Sequence, residues 1–164
     1  MKQKTLWLLS GPPASGKSTW ARSQIKTSHD IWISRDLIRF AYLKENDDYF
    51  KYEKQVVKDF LNSIKAAIND FTIDNIYVDA THLTNKSRSK IINLIENNNC
   101  NVVNVLFPIS LDDCLKRNEK REGREKVPES SIINMYISFE MPNNNYDTIF
   151  IVNGKEVSAD EYLG

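Results

Sequence analysis

The run Gly11-Pro-Pro-Ala-Ser-Gly16-Lys17-Ser18 holds the densest chemistry in the chain and meets the pattern GxxxxGK[ST] with no mismatch. Two glycines let a loop close on a compact anion, and the lysine and hydroxyl residue that follow supply a cation and a metal ligand. The apolar lead-in Leu6-Trp-Leu-Leu9 has the length of a buried strand, and a helix-compatible stretch runs from Lys17 to about Ser28. In that setting Gly11 turns the chain, and the amides of Ala14, Ser15, Gly16, Lys17, Ser18 and Thr19 point inward at a helix N-terminus, which makes a triphosphate cradle. Lys17 would reach the β- and γ-phosphates of ATP, and the Ser18 hydroxyl would bind Mg²⁺. The competing reading is an ordinary strand-to-helix turn.

A phosphate loop serves kinases, GTPases, motors and switches alike, so other residues must decide between them. The Asn-Lys-x-Asp tetrad of guanine recognition is absent, and the chain is small for a motor. Phosphoryl transfer to a hydroxyl needs a base near the γ-phosphate, cations for the transferring charge, and a lid against water. Asp36, in Ser34-Arg35-Asp36-Leu-Ile-Arg39, follows the second apolar run and is the candidate base. Arg39 lies three residues on and could grip an anionic group of the acceptor; alternatively, Asp36 is an exposed N-cap paired with an arginine in the first turns.

Asp79 ends the strand Ile76-Tyr-Val-Asp79 and has the character of a carboxylate that orders a metal-bound water, with a turn-capping Asp as the alternative. Thr81 and His82 come next and are placed toward the same cleft, where they could touch the acceptor. A lone histidine is more often structural, and with Asp36 present no histidine base is required. Arg117 and Arg121 are four apart, neighbours on one face of a helix expected over Leu111 to Arg121 and ended by Gly123. Two guanidiniums so placed could clamp triphosphate oxygens from a lid around 115–127. Glu119, Glu122 and Glu125 support the alternative of a solvated helix.

These residues need a scaffold that brings strand ends together. Short apolar runs at Leu6–Leu9, Ile31–Ile33, Ile76–Val78, Val102–Phe107 and Thr148–Val152 alternate with helical stretches at Phe50–Asn69, Asn85 to about Glu96, Leu111–Arg121 and Glu129–Phe139. Thr84 can cap the second of these helices. Asn97–Asn99 and Asn143–Asn145 read as loop tips. The alternation predicts an α/β fold with a five-stranded parallel sheet covered on both faces.

The chain has 164 residues, 41% of them hydrophobic and 27% charged, the balance of one soluble globular domain over 1–164. No apolar run is long enough for a signal core or a membrane span, so a cytoplasmic protein with no membrane partner is expected. Lys plus Arg and Asp plus Glu each total 22, so net charge gives no bias toward nucleic acid. Cys100 and Cys114 lack metal-ligand spacing. Trp7, Trp20 and Trp32 are read as packing groups.

The phosphate loop, Ser34-Arg35-Asp36 with Arg39, Asp79-Ala-Thr81-His-Leu-Thr, and Lys116-Arg117-Asn118-Glu-Lys-Arg121 before Val127-Pro128 together resemble the 5′-kinase domain of phage-type polynucleotide kinase. The resemblance runs from Leu6 to about Tyr136. It implies a three-layer P-loop kinase fold with strand order 2-3-1-4-5, and ATP with Mg²⁺ held by Lys17 and Ser18. It further implies Asp36 as activator of a 5′-hydroxyl, Arg39 on the phosphate 3′ to it, and Arg117 and Arg121 in a mobile lid. The chain departs from that family in having His82 where an amide is common and in lacking the Asp-x-Asp-Gly-Thr phosphatase signature. The resemblance makes the 5′-hydroxyl of a nucleic acid the expected acceptor, and the departures make a small metabolite or nucleotide-like alcohol the alternative. A regulatory switch without acceptor is the reading from another class.

Overall fold

In the computed structural model, which describes residues 3–95 and 99–164, the first apolar run becomes β1 (Lys4–Ser10) inside a six-stranded sheet. Parallel to it lie β2 (Asp30–Ser34), β3 (Asn75–Asp79), β4 (Cys100–Leu106) and β5 (Asp147–Val152). A further strand, β6 (Lys155–Ser158), is antiparallel to β5, and the spatial order is β2-β3-β1-β4-β5-β6.

The expected order 2-3-1-4-5 is kept, and the expected count of five is corrected by β6. Asn153 (φ 52°) and Gly154 (φ 77°) both take the left-handed conformation between paired Val152 and Lys155. That is the geometry of a two-residue hairpin turn, for which Asn-Gly is a strong local signal. The dipeptide thus reverses the chain instead of ending the sheet.

Seven α-helices are described: α1 (Lys17–Gln24), α2 (Arg35–Tyr42), α3 (Glu53–Ile68), α4 (Asn85–Ile92), α5 (Leu111–Glu119), α6 (Glu129–Ser138) and α7 (Ala159–Leu163). Helix α1 stops short of the expected Ser28 because the Asp30 carboxylate accepts from the amides of Lys26 and Thr27, at 2.9 and 3.1 Å. Thr84 caps α4 with a reciprocal Ser87 bond. The helix ends at Ile92; Glu96 and the loop tip at residues 97 and 98 lie outside the described residues.

Residues of β1 alternate between two cores. Leu6 and Leu8 pack with Phe60, Ile64, Val78 and Ile91 on one face. Leu9 packs with Trp20, Ala21, Tyr77 and Phe107 on the other. Burial on both faces is the rule for a central parallel strand, and it leaves the carboxyl ends of β1, β2 and β3 as the place where polar groups converge. Among the described residues no helix is long and apolar enough to cross a membrane.

Candidate active site

The loop between β1 and α1 is held by main chain. Ala14 (φ 65°) and Gly16 (φ 95°) are left-handed, and the Trp20 amide donates to the Gly16 carbonyl at 3.0 Å as α1 begins. A Cβ on Gly11 would lie 2.9 Å from Ser15 Oγ and 3.1 Å from Phe107 Cβ, so the close approach requires glycine. Ser15 Oγ is buried without a partner, an unmet donor inside the loop. Lys17 is buried, and its Nζ donates to the Gly11 and Pro12 carbonyls, both at 2.9 Å. Burial pulls its pKa down, while Asp79 and then Asp36 act in the opposite direction. Thr19 lies exposed in the first turn of α1.

Ser18 Oγ donates to Asp79 Oδ2 at 2.7 Å, across two elements that the register of β1 with β3 brings side by side. Trp32 Nε1 donates to the same oxygen at 3.0 Å, so Trp32 orients Asp79 as well as packing. A hydroxyl and a buried carboxylate in contact fit a hard cation such as Mg²⁺, which usually takes one or two protein oxygens and fills its remaining positions with phosphate and water. Among the described residues no group of three or more His, Cys, Asp or Glu side chains could hold a metal alone.

On the other side of the cleft Ser34, at the end of β2, caps α2, its hydroxyl accepting from the Leu37 amide at 3.3 Å. The alternative of Asp36 as N-cap is thereby corrected: Asp36 stands one residue inside the helix, with 59% of its side chain exposed. Arg39 does share its face, with Nη1 2.5 Å from Asp36 Oδ1. The rest of Arg39 is enclosed. Its Nε and Nη2 donate to the Glu53 carboxylate at 2.8–3.1 Å, Nη1 also donates to Tyr49 Oη at 2.9 Å, and the guanidinium lies 4.5 Å over the Tyr49 ring. Tyr49 Oη in turn donates to Asp36 Oδ1 at 2.8 Å. Glu53 thus takes the Nε/Nη2 edge of the guanidinium, while Asp36 and Tyr49 share Nη1. Burial alone would lower the Arg39 pKa, and Glu53, Tyr49 and Asp36 together raise it instead.

The segment expected to form a lid, residues 115–127, differs from its expected form. Helix α5 ends at Glu119, so Arg121 falls beyond it and the two arginines do not share one helical face. Arg117 Nη1 donates to the Ala14 carbonyl at 3.4 Å, and Arg121 Nη1 to the Glu125 carbonyl at 3.0 Å. Arg121 remains near enough for its charge to act on Lys17. Gly123 (φ 60°) opens a short 3₁₀ turn, Gly123–Glu125, instead of ending the helix. The base of the segment is clamped by buried Asn118, whose amide donates to the Val127 carbonyl at 2.6 Å and accepts from its amide at 3.0 Å. Cys114 Sγ, 3.0 Å from the Pro13 carbonyl, fixes α5 against the phosphate loop.

At the end of β3 the Thr81 carbonyl accepts from the Gly11 amide at 3.0 Å, so Thr81 braces the loop through its main chain. His82 is buried with φ 39°, and its Nδ1 lies 2.8 Å from the Leu9 carbonyl. That acceptor puts the ring proton on Nδ1. Burial, with the charges of Arg35, Arg88 and Lys17, pushes the His82 pKa down to about 3 although the Leu9 bond opposes it, so the ring is neutral. Spacing did not single out Tyr49, Glu53, Asn118 or Arg88. Arg88 is fully buried, donating to Ser10 Oγ at 3.1 Å and Asn85 Oδ1 at 2.9 Å.

A cavity of about 530 Å³ adjoins the phosphate loop at Gly11 and Pro12 and is lined by Leu106, Tyr136, Phe139 and Phe150 among others.

The strand order, the loop between β1 and α1 and the carboxylates ending β3 and following β2 define a P-loop kinase fold. Within that class the chain belongs to the AAA domain family, whose profile matches residues 6–142. It is 30% identical over 148 residues to the L-seryl-tRNA(Sec) kinase of Methanococcus maripaludis, a match covering 86% of this chain and 54% of that protein. The chain thus spans about half the length of that curated relative. A chain of the Pnkp1/Rnl/Hen1 RNA repair complex superposes with TM-score 0.69 at 21% identity, over 96% of this chain and 49% of that one. A fungal RNA kinase gives TM-score 0.59 at 11% identity over 93% and 75% of the two chains. A gluconokinase from Sinorhizobium meliloti 1021 gives 0.60 at 14% over 94% and 85%. The resemblance drawn from the sequence holds at the level of the fold.

Proposed function

We propose that residues 1–164 form one P-loop kinase domain, with a lid at 115–127, that moves the γ-phosphoryl of ATP to a hydroxyl in the presence of Mg²⁺. The observation that carries this reading is Asp36, an exposed carboxylate at the carboxyl edge of the sheet whose charge acts on Lys17. Asp36 takes the proton of the acceptor hydroxyl as that oxygen bonds to the γ-phosphorus, and the bond to the β-phosphate oxygen breaks to leave ADP. Gly11 and the amides from Ala14 to Thr19 hold the donor phosphates. Lys17, Arg117 and Arg121 stabilise the charge that spreads over the transferring oxygens. Ser18 and Asp79 would hold Mg²⁺, which neutralises phosphate charge when bound.

The acceptor favoured here is the 5′-hydroxyl of a polynucleotide, bound near Asp36, Arg39, Thr81 and His82. RNA repair and RNA kinase structures among the fold neighbours support it, and so does the seryl-tRNA(Sec) kinase among the relatives. A small metabolite or nucleotide-like alcohol is the second reading, favoured by equal counts of 22 cationic and 22 anionic side chains, since nucleic-acid channels normally carry excess positive charge. Asp36 argues against a switch without acceptor, which needs no base there.

Labelled ATP incubated with 5′-hydroxyl oligonucleotides, seryl-tRNA, nucleosides and sugars tests the reading. Label on the oligonucleotide 5′ end is the expected result. Label on a small alcohol alone would remove the polynucleotide assignment, and label on no acceptor would remove the kinase assignment.

A further inference from the structure

Asp79 is buried, and among the described residues both hydrogen bonds to its side chain fall on one oxygen. Ser18 Oγ donates to Oδ2 at 2.7 Å, and Trp32 Nε1 donates to the same atom at 3.0 Å. The two donors differ in kind. A hydroxyl carries a hydrogen and lone pairs, so exposed Ser18 can bind a cation through its oxygen while its hydrogen stays on Asp79. An indole N–H only donates and cannot enter a coordination sphere. What Trp32 supplies is therefore orientation alone. With Oδ2 held from two directions the carboxylate cannot rotate, and Oδ1 keeps its lone pairs for a cation or for a water bound to one.

Three elements fix the indole in that position. In β2, Trp32 stands in register with Tyr77 of β3, and Asp79 lies two residues further along β3, so all three side chains share one face of the sheet. The Trp32 ring packs on that face against the cluster that contains Leu9, Trp20 and Tyr77. In α1, Ser18 and Arg22 are four apart and lie on one helical face. The first bonds Asp79, and the second holds its guanidinium 5.7 Å over the Trp32 ring. A closed set of contacts results, running from Arg22 to Trp32 to Asp79 to Ser18 and back along α1. Packing alone would be served by another large apolar side chain, whereas the bond to Asp79 needs the ring nitrogen.

We propose that Trp32 is a positioning residue for the metal-bound nucleotide: its indole N–H sets the Asp79 carboxylate in advance and so raises the affinity for ATP with Mg²⁺ while touching neither. This rests on the reading above, in which Ser18 and Asp79 hold Mg²⁺. A carboxylate left free to turn must be ordered by the cation itself, and losing the bond that orients a metal-binding side chain typically lowers metal affinity by roughly 10- to 100-fold.

Calorimetric titration with a non-hydrolysable ATP analogue, once with Mg²⁺ and once with EDTA, tests the assignment in wild type, Trp32→Phe, Trp32→His, Asp79→Asn and the Trp32→Phe/Asp79→Asn double variant. The ratio of the two dissociation constants gives the gain due to Mg²⁺ in each protein. Wild type should show a clear gain, and Asp79→Asn should lose most of it. Trp32→Phe keeps an apolar ring at a half-buried position. It should lose about tenfold of the gain, with wild-type affinity in EDTA and a wild-type unfolding midpoint. Trp32→His, whose Nε2 takes the ring position of the indole nitrogen, should recover part of the loss. The double variant should bind no more weakly than Asp79→Asn, because the two residues act as one unit. An undiminished gain in Trp32→Phe, an equal loss in Mg²⁺ and in EDTA, or a double variant weaker than Asp79→Asn overturns the role of Trp32 and leaves the Mg²⁺ reading in place. A full wild-type gain in Asp79→Asn removes Asp79 from that reading, and the role of Trp32 with it.

Discussion

On the side proposed for the donor, eight consecutive residues from Gly11 to Ser18 make the loop, and backbone conformation at Ala14 and Gly16 shapes it. On the side proposed for the acceptor Asp36, Arg39, Tyr49 and Glu53 come from two helices and the segment joining them, and side chains alone hold the group together. The loop side keeps unmet hydrogen-bonding capacity, as at Ser15 Oγ, whereas Arg39 is engaged by three side chains, Glu53, Asp36 and Tyr49. A main-chain cradle is sensitive only where a side chain meets phosphate. A side-chain network transmits a change two residues removed from the chemistry.

The largest expected effect separates the halves outright. Lys17→Ala should lower phosphoryl transfer by about 10³-fold or more, since its charge matters most in the transition state, with an unchanged unfolding midpoint. Turnover within a few-fold of wild type would remove the donor-side assignment.

A smaller effect should come from the second layer of the acceptor side. Glu53→Gln leaves Arg39, only 3% exposed, without its two-oxygen partner. With Asp36 still paired to Arg39, the lost charged contact is expected to cost about 1 to 2 kcal/mol of stability, read from denaturant midpoints. Because Arg39 also holds Asp36, kcat should fall by about tenfold while ATP affinity stays constant. Equal losses in ATP affinity would place Glu53 in the general fold instead of the acceptor side.

The smallest effect concerns the junction between the halves. His82 is bonded to β1 through Leu9 and stacked on Phe60 of α3. Its folded pKa of about 3 lies below its ordinary 6.5, so the unfolded chain binds a proton that the folded chain refuses. Stability should therefore be full above pH 6.5 and fall as pH drops toward 3, by about 2 kcal/mol at pH 5. His82→Asn tolerates the left-handed backbone and should flatten that slope. A variant with the wild-type slope between pH 6.5 and 4 would assign the acid sensitivity elsewhere.

The contrast between the halves also explains what could be read in the chain. The phosphate loop was legible because its chemistry is contiguous, and Asp36 with Arg39 because three residues make one helical turn. Glu53 and Tyr49 were not, since they reach Arg39 from across an irregular connection that leaves no periodic mark. Arg121 was misplaced on a helix because nothing in the sequence announces a stop at Glu119; the Asn118 clamp on Val127 redirects the chain there. The sixth strand was missed, because the run after the Asn153-Gly154 turn is short and polar and carries no apolar alternation.

The central claim is that Asp36 activates the hydroxyl that attacks the γ-phosphate. Its most direct test is Asp36→Asn, with turnover on a 5′-hydroxyl oligonucleotide and ATP affinity measured on the same preparation. A fall of about 10²-fold or more in kcat with ATP affinity unchanged is the predicted result. Wild-type turnover in that variant would contradict it.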